Sequence, residues 1–295
     1  MPANAIEVTS LSKSFGPKLA LNSVTFNVPK SKIFGFLGPN GAGKTTTIRS
    51  LMDFIRPTAG NIKILGHDAH TDSAELKNSI GYLSSDSQLY PNWTADDHIK
   101  FFENLKGVSP IRDQLIKRFD LDIHTRVKAL SSGNKQKLAI ILCFVGNPEL
   151  IIMDEPTRGL DPLLQNELYS LLLEFVGQNK TVFLSSHNLS EVERICDSVV
   201  LIKDGSIVEE KTMNDIRDLK VHVITASSSH KINTSGLKHL PNLEIVSAVD
   251  NSISLKVRGD LNKVMAELVK NNLTDLSVNH LSLEDIFLEQ YKDKQ

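Results

Sequence analysis

Gly38-Pro39-Asn40-Gly41-Ala42-Gly43-Lys44-Thr45 decides how this chain is read. It matches G-x-x-x-x-G-K-[ST], behind the apolar run Ile33-Phe34-Gly35-Phe36-Leu37 and ahead of a stretch with helical spacing. Strand, glycine loop and helix in that order make a cradle for phosphate. The glycines let successive backbone N–H groups turn into one concavity, and the helix that begins near Gly43 adds its positive end. Lys44 can reach the β- and γ-phosphates, and Thr45, followed by Thr46, brings a hydroxyl suited to Mg²⁺. A bound nucleoside triphosphate with magnesium follows. The alternative is a glycine-rich strand-to-helix turn without a ligand, which the strand-loop-helix context disfavours.

Outward from the loop, Ile6-Glu7-Val8, Leu21 to Val28 and Lys32 to Leu37 read as strands, and Thr45 to Phe54 as a helix that stops before Arg56-Pro57-Thr58-Ala59-Gly60. Asn61 to Leu65 and Ile80 to Leu83 are strands around a helix near Ser73 to Asn78. Residues 94–145 are helical in pattern throughout, a helical insert with apolar spacing at Ile99, Phe102 and Leu105 and again at Leu115, Ile116 and Phe119. Strands then return at Leu150 to Met153, Thr181 to Leu184 and Ser198 to Ile202, with a helix from Pro162 to about Val176 and a hairpin turn at Asp204-Gly205. This alternation signals an α/β fold around a largely parallel sheet. The character changes near residue 217, which sets domains of 1–216 and 217–295. The second reads as βαββαβ plus a terminal helix at Leu283 to Tyr291, a small ferredoxin-like α+β unit.

Composition narrows the classes. The 295 residues are 40% apolar and 23% charged with a formal charge of −2, so nothing draws the whole chain to nucleic acid. From 217 to 295, ten Lys/Arg stand against ten Asp/Glu, so no basic arm appears there either. The start, Met1-Pro2-Ala3-Asn4, has no basic and apolar signal pattern, and the longest apolar run, near Leu138 to Val145, falls far below the ~18 residues of a membrane span. A cytoplasmic protein is expected. If it works at a membrane, another chain must supply the pore. Cys143 and Cys196 lie far apart without metal-ligand spacing and read as reduced, buried thiols.

The apolar strand Leu150-Ile151-Ile152-Met153 delivers Asp154 and Glu155 to its carboxyl end, where ligands sit in open α/β sheets. Asp154 is suited to share the Mg²⁺ with Thr45, and Glu155 to polarise a water for attack on the γ-phosphate. Joined to Leu130-Ser131-Ser132-Gly133-Asn134-Lys135-Gln136, this acid pair makes residues 5–215 closely resemble the nucleotide-binding subunit of an ATP-binding-cassette (ABC) transporter. The resemblance implies a P-loop NTPase domain of the ABC type, a mixed sheet with an antiparallel β subdomain and a helical subdomain at 94–145. It implies ATP and Mg²⁺ as ligands and hydrolysis coupled to transmembrane transport. By position, Ser131 and Gly133 correspond to the L-S-G-G-Q residues that close over the ATP of the opposite subunit, Asp161 in Gly159-Leu160-Asp161-Pro162 to the loop that crosses the dimer interface, His187 to the switch histidine, and Phe15 to the aromatic that stacks on adenine. Without the family, Leu130 to Gly133 reads as a helix cap, His187 as an ordinary structural or solvated histidine and Phe15 as a core residue.

Ser132 and Asn134 depart from the usual signature. A larger departure lies in Ser84-Ser85-Asp86, where the family usually carries a glutamine that touches Mg²⁺. Ser85 stands at that position, and Asp86 is a candidate to substitute for it in part. The resemblance further implies a homodimer docked on separate integral-membrane permease subunits, peripheral on the inner face of the membrane. Leu281-Ser282-Leu283-Glu284-Asp285-Ile286-Phe287-Leu288-Glu289 resembles the terminal helix of bacterial drug and antibiotic exporter ATPases, which points to export and to a dimerising or regulatory C-terminal domain. Two other classes compete: a soluble cassette ATPase that remodels ribosomes or DNA, and a nucleotide switch that binds ATP but barely turns it over.

Overall fold

A computed structural model describes residues 4–218, 221–240, 242–258 and 261–280. The chain divides into two compact units, Met1–Lys211 and Thr212–Gln295. The first opens with β1 (Asn4–Phe15) and β2 (Lys18–Pro29), continues through β3 (Ile33–Leu37) to helix α1 (Lys44–Leu51), and adds β4 (Ala59–Ile64), β5 (His67–Asp68), α2 (Ser73–Ser79) and β6 (Ile80–Leu83). The insert follows as α3 (Ala95–Lys106), α4 (Arg112–Arg118) and α5 (Ser132–Phe144). Then come β7 (Leu150–Asp154), α6 (Pro162–Gly177), β8 (Thr181–Ser186), α7 (Leu189–Ile195), β9 (Ser198–Lys203) and β10 (Ser206–Thr212).

Two sheets result. An antiparallel sheet has the order β2-β1-β4-β5, and a second sheet has the order β10-β9-β3-β8-β7-β6, with β9, β3, β8, β7 and β6 parallel. Because side chains alternate along a strand, Phe34 and Phe36 of β3 point to one face and Gly35 to the other. On the first face they meet Phe26 of the antiparallel sheet, with ring centroids 5.9 and 5.2 Å apart, and Phe183 of β8 at 6.0 and 5.6 Å. All four rings are fully or almost fully buried. At about 25 cal/mol per Å² of apolar surface, each contributes on the order of 2–3 kcal/mol to holding the sheets together. On the other face, a methyl at Gly35 would stand 2.9 Å from Val192 Cγ1 of α7, so the glycine lets that helix lie close to the sheet.

The insert is less uniformly helical than its pattern. A capping box starts α3: the Asp97 N–H donates to Thr94 Oγ1 at 3.1 Å and the Thr94 N–H to Asp97 Oδ2 at 2.8 Å. Gly107, at φ 92°, ends it, and Ser109-Pro110 prevents continuation. Between α4 and α5 the Asp122 carboxylate accepts from the His124 N–H and the Thr125 hydroxyl, holding a loop rather than a helix. Two contacts fasten the insert to the edge strand β6. Lys106 Nζ donates to the Ile80 carbonyl at 2.6 Å, and the Cys143 carbonyl of α5 lies where a Cβ on Gly81 would stand only 2.1 Å away. Elsewhere Arg118 of α4 is gripped by Glu167 and Glu174 of α6, with 2.7 and 3.0 Å contacts to Glu174. Its bond to Arg118 holds the Glu174 carboxyl below the usual carboxylate range. Cys143 and Cys196 are free and buried, and burial pushes the Cys143 thiol up to about 12. Neither thiol is reactive at neutral pH.

The second unit contains α8 (Met213–Asp218), β11 (Val221–Ser228), β12 (Leu243–Val249), β13 (Ser252–Arg258), α9 (Asn262–Val269) and β14 (Leu273–His280). Its sheet is antiparallel with the order β12-β13-β11-β14, which is the strand order of a βαββαβ unit. Ile224, Leu255 and Val257 of the sheet and Val264 and Leu268 of α9 form its core. The first helix expected between β11 and β12 is not formed. A single 3₁₀ turn, Leu237–His239, stands there instead, because β11 extends through Ser228 and the Asn233 side chain accepts from the Ser235 N–H at 3.0 Å, competing with helical bonding. The terminal helix expected at Leu283 to Tyr291 lies outside the described residues. Among the described residues no helix is long and apolar enough to cross a membrane.

Gly81→Ala forces a methyl into the Cys143 carbonyl. It is expected to lower stability by about 3 kcal/mol, at the upper end of overpacking, in urea unfolding followed by circular dichroism.

Candidate active site

Strand β3 ends at Leu37 and the chain coils from Gly38 to Gly43 before α1. Gly43 takes φ 113° at the helix N-cap, a conformation only glycine adopts without strain, and a Cβ there would also stand 2.7 Å from Leu21 Cδ2. The turn Asp204-Gly205 between β9 and β10 packs on the loop through the Gly205 N–H, which donates to the Ala42 carbonyl at 2.9 Å. Around it opens a cavity of about 880 Å³. Its walls include Pro39, Asn40, Gly41, Gly43, Lys44, Thr45 and Thr46 from the loop and α1, with Ser85, Glu155 and His187 opposite and Phe15 at the rim.

Six of the expected residues, Thr45, Ser85 and Asp154 and again Lys44, Glu155 and His187, converge here within hydrogen-bonding distance. Asp154, at 0% exposure, accepts from Thr45 Oγ1 (2.9 Å) and Ser85 Oγ (3.0 Å) at Oδ2, and from Ser185 Oγ (2.5 Å) at Oδ1. Lys44 Nζ, buried, donates to the Gly38 carbonyl at 2.6 Å and lies 3.2 Å from Glu155 Oε1. The other Glu155 oxygen is 2.6 Å from His187 Nδ1. Glu155 therefore stands between a lysine and a histidine. It is set there by a backbone at φ 53°, unusual for a side-chain-bearing residue and worth about 1 kcal/mol or more of strain, and by its N–H, which donates to the Ser185 carbonyl at 3.2 Å. Hydroxyls and a buried carboxylate are hard oxygen donors, so Thr45, Ser85 and Asp154 fit Mg²⁺ in kind. Asp86 does not line the cavity, and its N–H donates to Ser84 Oγ at 3.3 Å.

Phe15 is half exposed at the rim, so the core alternative for it is removed. The Lys13 ammonium sits 5.0 Å over its ring and donates to the Arg56 carbonyl at 2.7 Å, which holds the aromatic edge of the cavity in place. Ser131, Gly133 and Asp161 are not among the lining residues. Ser131 caps α5 by accepting from the Asn134 N–H at 3.2 Å, and Asp161 caps α6 by accepting from the Leu163 and Leu164 N–H groups. Within this chain they are helix caps. The helix that Ser131 caps nonetheless reaches the acid-pair loop, where Gln136 Nε2 donates to the Pro156 carbonyl at 3.0 Å and a Cβ on Gly133 would stand 3.9 Å from the Gly159 carbonyl.

Sequence reading passed over Ser185, Arg158 and Lys18, which border the site or hold Asp154. Ser185 was visible only as part of a strand end.

A protein-family model described as ABC transporter matches residues 21–158. An ABC transporter ATP-binding protein of Bacillus subtilis (strain 168) is 31% identical over 96% of both chains, and the bacitracin transport ATP-binding protein of Bacillus licheniformis is 33% identical over 96% of both. The chain belongs to the ATP-binding subunits of ABC transporters. It is an ATPase that binds ATP and powers transport. Over a shorter span, the lantibiotic transport ATP-binding protein of Streptococcus pyogenes is 36% identical, covering 73% of this chain and 94% of that one. The solved ATP-binding subunit of an ABC transporter superposes with a TM-score of 0.68 at 31% identity, over 72% of this chain and 92% of that one. A dimeric ATP-binding cassette in a post-hydrolysis state with ADP and phosphate, at 22% identity, shares the fold with a TM-score of 0.65 over 70% of this chain and 98% of that one. The architecture is thus the ABC type of P-loop NTPase, and the remodelling and pure-switch classes give way to a transport ATPase.

Ser85→Ala should raise the Mg²⁺ concentration for half-maximal ATPase activity about 2- to 10-fold, the worth of one hydrogen bond, while Asp86→Ala leaves it unchanged. A magnesium titration of both variants checks this.

Proposed function

We propose that two copies of this chain close head to tail on two ATP molecules, each held between Lys44 of one copy and Ser131 and Gly133 of the other. The single observation that carries the reading is Glu155 set between Lys44 and His187, 3.2 and 2.6 Å from each. Lys44 would transfer to the β- and γ-phosphates as nucleotide enters, which frees the Glu155 carboxylate to take a proton from water. His187, its ring oriented by Glu155 through Nδ1, keeps Nε2 for the γ-phosphate. Thr45, Asp154 and Ser85 would hold Mg²⁺, which when bound screens the charge of the phosphates. Phe15 offers its ring face to adenine.

The dimer reading is supported by Ser131, Gly133 and Asp161 standing outside their own chain's cavity, and by the dimeric state of a cassette with this fold. Asp161 would then couple the two sites across the interface. Docking on separate membrane permeases is supported by exposed Phe101, Leu105 and Val108 of the insert and by exposed Tyr90 just before it, whose ring is tilted against Trp93 with centroids 4.5 Å apart. Surface of that kind needs an apolar partner. The subunit would work on the cytoplasmic face of the membrane. Relatives named for bacitracin and lantibiotic transport favour export of a drug-like, lipid or other small molecule. We assign the C-terminal unit a dimerising or regulatory role.

Glu155→Gln is expected to keep ATP binding, accumulate as a dimer with ATP in size-exclusion chromatography, and lower turnover on the order of 10²-fold, the contribution of a general base. Near-normal hydrolysis would falsify the role. Lys44→Ala should weaken binding of a fluorescent ATP analogue itself.

A further inference from the structure

Glu191 is a carboxylate 2% exposed that the chemistry described so far does not use. It lies in α7, four residues after His187. Its Oε2 accepts from Ser186 Oγ at 2.5 Å, and the same Ser186 oxygen accepts from the Asn188 N–H at 2.9 Å. Ser186 and Asn188 flank His187, so one hydroxyl closes the turn around the histidine and Glu191 fixes that hydroxyl. Asn188 in turn caps α7 by accepting from the Ser190 N–H at 3.0 Å.

The carboxyl also reaches the acid-pair side of the site. Burial raises its pKa, the Ser186 and then the Thr157 hydroxyl lower it, and the nearby Glu155 charge raises it. Thr157 lies two residues beyond Glu155. Glu191 Oε1 has no well-formed hydrogen bond although it is buried, so the group carries a desolvation cost that its contacts do not fully offset. Its neighbours on α7, Val192 and Ile195, are buried apolar residues, and another would fill the space at lower cost. From its outer side α7 is pinned to α6, where Arg194 donates to Asn166 Oδ1 at 2.6 Å and lies 5.1 Å over the Tyr169 ring. The helix is therefore a rigid mount for the turn.

We propose that Glu191 is a positioning residue for ATP hydrolysis, holding the Ser186–Asn188 turn so that His187 keeps its Nδ1 on Glu155 and its other nitrogen toward the nucleotide. The inference rests on the reading of His187 as the group that meets the γ-phosphate. It acts through His187, so its loss must appear in kcat rather than in affinity, and must vanish when the histidine is gone.

The test measures steady-state ATPase rates and fluorescent-nucleotide affinity of the full chain for Glu191→Ala, Glu191→Gln and Ser186→Ala, each alone and combined with His187→Ala. Glu191→Ala is expected to lower kcat on the order of 10-fold with affinity within about 2-fold. Glu191→Gln, whose amide oxygen still accepts from Ser186, restores most of the rate. Ser186→Ala repeats the loss, and neither substitution slows the His187→Ala protein further. An equal loss in the His187→Ala background, a parallel loss of affinity, or an unchanged kcat in Glu191→Ala overturns the proposal. Should Glu191→Ala not fold, the Ser186→Ala and His187→Ala pair decides by the same criterion. Normal turnover in His187→Ala removes the histidine reading and this inference with it, whereas a slow His187→Ala beside a normal Glu191→Ala removes this inference alone.

Discussion

Burying the Asp154 charge is the constraint around which the nucleotide-binding unit is arranged. An unpaired carboxylate at zero exposure would be prohibitively unstable, and here it is met by hydroxyls from three separate places: Thr45 on α1, Ser85 after β6 and Ser185 at the end of β8. Each of those residues must therefore be delivered to one point, which fixes the relative position of the phosphate loop, the edge strand and the strand beside Asp154. Phe26, Phe34, Phe36 and Phe183 supply the apolar attraction that holds the sheets in that arrangement.

Around this point the charges are ordered rather than merely gathered. Lys44 faces the loop carbonyl of Gly38 and one oxygen of Glu155, while His187 takes the other oxygen. On the proposed function, a phosphate chain entering the cradle would compete with Glu155 for the same ammonium, and one ion pair would link nucleotide binding to release of the acid. Glu155 itself takes φ 53°, just beyond the end of the strand that carries Asp154.

The parts of this site legible in the sequence are those written in local spacing. Gly38 to Thr45 declares its function in eight residues, and Asp154-Glu155 stands at the end of an unbroken apolar strand. What was not legible depends on contacts across long separations. Ser185 looks like an ordinary strand-end residue until the fold brings Asp154 to it, whereas Glu191, only five residues from Ser186, is hidden because nothing in its helix marks it apart from its apolar neighbours. In the insert, apolar periodicity survived through segments that side-chain bonds, such as those of Asp122, turn into loops. Beyond β11 the hydroxyl and amide residues between Ser227 and Gly236 outcompeted helix formation.

The edge strand β6 has one further consequence. It pairs on one side only, with β7, and its residues Ile80 and Gly81 are tied to α3 and α5 of the insert while Ser85, just past its end, touches Asp154. A shift of the insert against the sheet would thus meet β6 first, a strand with a single pairing partner, a few residues before Ser85 and the Asp154 carboxylate. One short stretch, residues 80–85, is therefore all the chain that separates the outer helices from the buried acid.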